Sequence, residues 1–237
     1  MGAYTDMAPQ SDGNSSPIYS NQQGINRDLL KFVAKYASGG FEKPIAKHTA
    51  DAFLQLHKIT AEVTQPIILD SGCGTGESSY ALSEQFPGHM VIGIDKSAAR
   101  LSKSMDGQHE NVLLVRAELI DMWRLMREHH WQIDAHFLFY PNPWPKQQHL
   151  KRRWHGHPEF LSMLQMSRYL ELRTNWEIYA MEFIAAIEYL IAQGLVEGSV
   201  SITSFDPIKP VSRFEQKYSA SGHQLFQVKH RRACGAS

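Results

Sequence analysis

The chain has 237 residues and carries 24 Lys+Arg against 24 Asp+Glu, so its net charge is zero and any basic surface has to be local. An apolar content of 43% and this length fit one α/β domain with a sizeable core. There is no apolar run of roughly 18 residues, no signal-like start, and the two cysteines (Cys73 and Cys234) lie far apart, so a cytoplasmic protein without membrane spans, disulfide framework or zinc ribbon is expected.

Residues 1–24, rich in Ser, Asn, Gln, Pro and Gly, read as a flexible tail. Asn26–Tyr36 sets Leu29, Leu30, Phe32 and Val33 on one helical stripe, and a second helix is expected over Ile45–Glu62. Residues 25–62 therefore read as a helical extension before a main domain over 63–237. The pattern then alternates. Strands are predicted at Pro66–Asp70, Met90–Asp95, Asn111–Ala117 and Ala135–Tyr140, with helices at Glu77–Phe86, Ser97–Met105 and Glu118–His130 between them. This spacing predicts βαβ units and a mostly parallel, doubly wound α/β sheet. The strands are continuous apolar runs, as strands covered on both faces should be. A helix over Pro158–Met166, a strand near Tyr169–Thr174, a long helix over Trp176–Gln193 and strands at Gly198–Phe205 and His223–His230 complete the prediction.

The stretch ILDSGCGTG alternates Gly72, Gly74 and Gly76 between the first predicted strand and a helix. Glycines there permit tight turning and close backbone approach to a ligand. Asp95 ends the next strand, 25 positions after Asp70, where a carboxylate can accept both hydroxyls of a ribose. A dinucleotide fingerprint would place glycine where Glu77 stands, and an acid at a helix start is poor company for a pyrophosphate. No lysine follows, which excludes a P-loop. The D-x-G-x-G-x-G pattern resembles motif I of S-adenosylmethionine-dependent methyltransferases, whose methyl donor has an ammonium, a sulfonium and a ribose diol but no phosphate. Asp70 is placed to receive a cationic group. Glu118, after the third strand, reads either as a neighbour of the adenine amino group or as an acid favoured by a helix start.

YPNPWPKQQHLKRR, Tyr140 to Arg153, ends the fourth strand, where ligands bind in open α/β sheets. Pro141, Pro143 and Pro145 stiffen the loop and can hold Asn142 and Trp144 in place. Lys146, His149, Lys151, Arg152 and Arg153 follow, and no acid occurs between Asp134 and Glu159. A local positive patch with aromatics next to a catalytic-looking loop points to RNA phosphates and bases. The histidines have no partner Cys or acid at ligand spacing, so no metal is expected.

NPWPKQQHLKRR resembles the signature of the bacterial tRNA (guanine-N(7))-methyltransferase family, PDPWPK followed by H-x-KRR. LRTNWEIYAMEF resembles its T-D-W-x-x-Y segment, VSRFEQKYSASGH its T-x-F-E-x-x-x-x-x-x-GH segment, and DLLKFVAKY its N-terminal R-S-F-V helix; the likeness covers about residues 26–230. The resemblance implies a Rossmann-like methyltransferase, S-adenosylmethionine as cofactor and tRNA as partner, acting as a monomer or homodimer. It places Asp70, Gly72, Asp95, Glu118 and Asn142 at cofactor positions, with Asn142 also at the catalytic one. It places Lys146, Asn175 and the run Ser212–Glu215 (with Ser212, Phe214 and Glu215) at substrate positions, and the run holding His149, Lys151, Arg152 and Arg153 where the family contacts RNA. Three family acids are replaced: Asn142 stands for Asp in P-D-P-W, Glu118 for Asp after the third strand, and Asn175 for Asp in T-D-W. Three readings follow: methylation of guanine N(7), methylation of another substrate such as an exocyclic amine, as in N-P-P-[YF] enzymes, or a non-catalytic tRNA binder. The intact glycines and Asp95 speak against the last.

Overall fold

The computed structural model describes residues 13–104 and 109–233. Residues 1–12 of the predicted tail, Met105 at the end of a predicted helix, and Cys234 lie outside the described residues.

Seven strands form one sheet in the order β3-β2-β1-β4-β5-β7-β6. They are β1 (Ile67–Ser71), β2 (Met90–Asp95), β3 (Val112–Arg116), β4 (Ile133–Phe139), β5 (Ser167–Thr174), β6 (Ser199–Phe205) and β7 (Leu225–Arg231). The first five are parallel to one another, and β7 runs antiparallel between β5 and β6. The parallel strands come from the apolar runs read in the sequence: β2 is buried at every residue. The order reverses beside β1, whose neighbours are β2 and β4, so a crevice opens at their carboxyl ends.

Helices α1 (Leu29–Ala37), α2 (Lys47–Ala61), α3 (Glu77–Gln85), α4 (Ala98–Leu101), α5 (Leu119–Glu128), α6 (Phe160–Gln165), α7 (Glu177–Ala192) and α8 (Arg213–Ala220) surround the sheet. The larger core cluster gathers Leu29 and Val33 of α1, Phe53 and Leu56 of α2, and Phe183 and Ile187 of α7. The predicted helical extension is thus part of the main core. On the other face, α3 covers a smaller cluster built from Ile68, Leu82, Val91, Ala135 and Phe137. The double cover ends at β6, which alternates half-buried and exposed residues, as an antiparallel strand with one solvated face should.

Two differences from the sequence reading have physical causes. Within the predicted tail, Gln22 is buried: its amide Nε2 donates to Glu182 and its Oε1 accepts from Arg153. Ser20 Oγ donates to Pro145 O, and Ser15 N–H donates to Ser221 Oγ at 3.1 Å. Polar side chains anchor this segment where apolar area could not. The helix α8 was not anticipated, because Phe214 and Tyr218 are the only large apolar residues in RFEQKYSA. Ser212 caps it, its Oγ accepting from Glu215 N at 3.3 Å.

Candidate functional site

β1 leads into Gly72–Gly76, and the chain turns there with φ of 85°, 62° and 85° at Gly72, Gly74 and Gly76. A Cβ at Gly76 would meet Leu114 Cδ1 at 2.7 Å, whereas one at Gly72 or Gly74 would meet nothing within 4 Å. Gly76 is demanded by packing as well as by its backbone, and Gly72 and Gly74 by backbone conformation alone, which leaves open space above them. Gly72 and Cys73 N–H groups donate to Ile94 O, tying the turn to β2. Asp95, ending β2, is buried under this turn. Its Oδ2 accepts from Gly74 N at 3.1 Å, and its Oδ1 accepts from Ser97 N at 2.8 Å and pairs with Arg100 at 3.0 Å.

Asp70 differs from expectation. It is fully buried, and its Oδ2 accepts from the hydroxyls of Ser78 (2.6 Å) and Ser79 (2.7 Å). Burial pushes its pKa up to about 6, against the lowering effect of the two hydroxyls and with a further rise from Asp95. Asp70 is therefore a tie between β1 and the first turn of α3, and it does not line the cleft. Glu118 is likewise not among the cleft's lining residues; it precedes α5 as its N-cap, and its N–H donates to Thr49 Oγ1 on α2 at 3.0 Å.

Across the cleft, β4 ends in the proline loop. Tyr140 (φ 50°) and Trp144 (φ 46°) both adopt left-handed backbone, uncommon for bulky residues. Asn142 Oδ1 accepts from Trp144 N at 3.3 Å, closing the turn with a side chain. Tyr140 OH donates to Glu215 at 2.7 Å. Arg153 holds the loop from inside. Its guanidinium donates to Trp144 O (Nε 3.3 Å, Nη2 3.1 Å) and Lys146 O (3.3 Å), pairs with Glu182, and stacks over Trp176 at 4.9 Å.

Two sequence expectations are corrected here. Arg153 has no exposed surface, so its charge goes to Glu182 and the loop carbonyls and does not reach an RNA phosphate. Glu215 is equally buried and accepts from Tyr140 OH, Arg173 Nη1 (3.0 Å) and Val211 N (2.8 Å), which pins α8 to the ends of β4 and β5. It supports the site without facing a substrate.

The cleft between these walls has a volume of about 570 Å³, within the usual range for a ligand site. Gly72, Gly74, Asn142, Asn175, Ser212 and Phe214 all line it, so residues far apart in sequence meet as expected. Asn175 Nδ2 lies 3.1 Å from His223 Nδ1, and His223 Nε2 lies 3.0 Å from Ser15 O. Since the amide donates, Nδ1 accepts and Nε2 carries the proton. Lys146, His149, Lys151 and Arg152 follow the proline loop in sequence and are not among the residues that line the cleft. Arg152 lies over the Trp144 ring at 4.6 Å and Lys151 over Phe32 at 4.8 Å, so two exposed cations have fixed seats. His149 packs edge-on against Trp144, and partial desolvation with Arg152, Lys146 and Arg153 nearby lowers its pKa. Arg213, within the expected substrate run Ser212–Glu215, also lines the cleft; Glu77 and Tyr140 line it too and were not anticipated as site residues, the position of Glu77 directly after the glycines being the available signal.

A parallel sheet with a glycine cradle, a buried acid ending β2 and a proline loop at the order reversal defines a class I methyltransferase architecture. The chain belongs to a methyltransferase family: residues 64–228 match the family model described as "Putative methyltransferase". It is 29% identical over 173 residues to a tRNA (guanine-N(7)-)-methyltransferase of Nitrosomonas europaea, covering 70% of this chain and 75% of that protein. It is 26% identical over 176 residues to a protein of the same name from Leifsonia xyli, covering 71% and 77%. Among solved structures it is similar in fold to a 16S rRNA (adenine(1408)-N(1))-methyltransferase variant with cosubstrate SAM from Catenulisporales acidiphilia, at TM-score 0.51 and 16% identity over 78% of this chain and 93% of that one. Among the described residues, no helix is long and apolar enough to cross a membrane.

Proposed function

We propose that this protein is an S-adenosylmethionine-dependent methyltransferase that modifies guanine N(7) in tRNA. The observation carrying this reading is that Asn142 and Pro143 of the proline loop and Asn175 line one cleft with the open glycine turn, and that the exposed Arg152 is seated on Trp144 of the same loop. The names of the curated relatives support the substrate.

The residues present fit the methyl donor. The backbone at Gly72 and Gly74 is bare toward the cleft, and Asp95 sits beneath it with an exposed partner, Arg100, that a ribose diol can replace. S-adenosylmethionine supplies an activated methyl group. The chain's own tasks are then few. Guanine N(7) carries a free lone pair, so no side chain has to remove a proton. Asn142 and Asn175 hold the base edge, and the stiff proline loop fixes the approach direction, which supplies most of the acceleration. Arg152, seated on Trp144, and Lys146 hold phosphates.

The methylated base gains positive charge, and Asn142 meets it with an amide dipole where a carboxylate would stabilise it better. Asn142→Asp should therefore raise kcat, by about tenfold or more if a single electrostatic partner has its usual weight. Single-turnover rates on tRNA measure this. An unchanged or lower rate would contradict N(7) chemistry and favour an uncharged product, as at an exocyclic amine.

A further inference from the structure

Glu77 opens α3 directly after Gly76, and Arg213 opens α8. They are 136 positions apart in sequence and meet in the wall of the cleft. Arg213 Nε pairs with Glu77 Oε1, and the Arg213 N–H donates to Glu77 Oε2 at 3.1 Å. The Arg213 side chain is 83% exposed and that of Glu77 26% exposed. This wall of the cleft therefore carries an anion and a cation side by side. A pair this exposed is weakly held and separates readily.

A ligand with its own adjacent ammonium and carboxylate can replace each partner of such a pair by the other. No charge is then left uncompensated, and the guanidinium fork matches a carboxylate in two parallel hydrogen bonds. The methyl donor ends in such a group, an α-amino acid. Among the carboxylates near the glycine turn, Asp70 is buried and occupied by Ser78 and Ser79, and Asp95 is occupied by Gly74, Ser97 and Arg100. The other ion pair on α3, Glu84 with Lys209, faces the adjoining groove and does not line this cleft.

We propose that the Glu77–Arg213 ion pair is the receptor for the amino-acid end of the methyl donor: it opens, Glu77 takes the ammonium and Arg213 the carboxylate. This rests on the reading of S-adenosylmethionine as the donor. It also gives Glu77 a reason to stand where a phosphate-binding loop would have glycine.

The test is calorimetric binding, without turnover, of three ligands: S-adenosylhomocysteine, its decarboxylated analogue, and 5′-methylthioadenosine, which lacks the amino-acid end. Wild-type protein, Arg213→Ala and Glu77→Gln are compared, with thermal melts to confirm folding. Arg213→Ala should weaken S-adenosylhomocysteine about tenfold and leave the other two ligands unchanged. Glu77→Gln should weaken S-adenosylhomocysteine and the decarboxylated analogue by a similar factor and spare 5′-methylthioadenosine. Equal weakening of all three would make the pair only a strut between α3 and α8 and overturn the proposal. Wild-type affinity in both variants would overturn it while leaving the donor reading intact. If the wild-type protein bound none of the three ligands, the donor reading would fall, and the proposal with it.

Discussion

At His136 a single buried ring shows how the core sets its own response to pH. Trp123 Nε1–H donates to Ser71 Oγ at 3.2 Å, and Ser71 lies 2.8 Å from His136 Nε2. Ser71 spends its proton on that nitrogen, so His136 carries its hydrogen on Nδ1, facing Ser167 at 3.4 Å, and Ser167 donates to Met163 O. Burial lowers the His136 pKa to about 3. The folded pKa is depressed below the unfolded one, so this contribution to stability is present above about pH 6.5 and is lost as pH falls toward 3. Stability should drop by roughly 1.4 kcal/mol per pH unit across that window for this one proton. Urea melts between those limits measure it, and His136→Asn should flatten the slope; an unchanged slope would assign the proton elsewhere. Glu182 acts in the same direction lower down. Burial opposes its ionisation, but His155 and Arg153 outweigh this and hold its pKa at about 2, so its contribution is lost only as pH falls below the usual carboxylate range. Glu182→Ala leaves Arg153 buried without its partner and should destabilise the fold by about 3–5 kcal/mol. A loss under about 1 kcal/mol would contradict the burial of the pair.

The elements differ in how far local sequence decides them. β1, β2 and β4 were legible because both faces are covered, and the strands read as unbroken apolar runs such as MVIGID. The glycine turn was legible because its backbone demands glycine. Arg153 was not, because its partner Glu182 stands 29 positions away on α7, and a run of basic residues looks the same whether it faces water or a buried acid. α8 was not legible either, since long-range contacts hold it. Its Glu215 joins Tyr140 of the proline loop and Arg173 of β5, and the Arg173 guanidinium lies over Phe139 at 4.9 Å and Phe205 at 5.2 Å. The structure therefore couples α8 to the loop through one carboxylate. Glu215→Gln should loosen both, weakening S-adenosylhomocysteine binding while leaving the secondary-structure content unchanged. Calorimetry and circular dichroism on the same samples check this, and full affinity would show that the coupling does not shape the cleft.

At the scale of the whole molecule, a net charge of zero leaves attraction of RNA to local groups of cations. Lys146, Lys151 and Arg152 follow the proline loop as exposed cations, while the residues near β4 and β5 neutralise one another through Arg173, Glu171 and Glu215. RNA affinity should therefore depend on a few cations. Arg152→Ala should weaken tRNA binding and reduce the slope of log affinity against log salt by about 1. Filter binding across a salt series reads both quantities, and an unchanged slope would make this run of cations an ordinary solvated surface. The measurement that bears most directly on function is transfer itself. Purified protein is incubated with methyl-labelled S-adenosylmethionine and tRNA lacking the N(7) mark, and the digested nucleosides are identified. Label in 7-methylguanosine is the predicted result, and it would show that Asn142 and Asn175 suffice where the related family carries aspartates. Label in a different nucleoside, or none in tRNA from protein that binds S-adenosylhomocysteine, would contradict the assignment of guanine N(7).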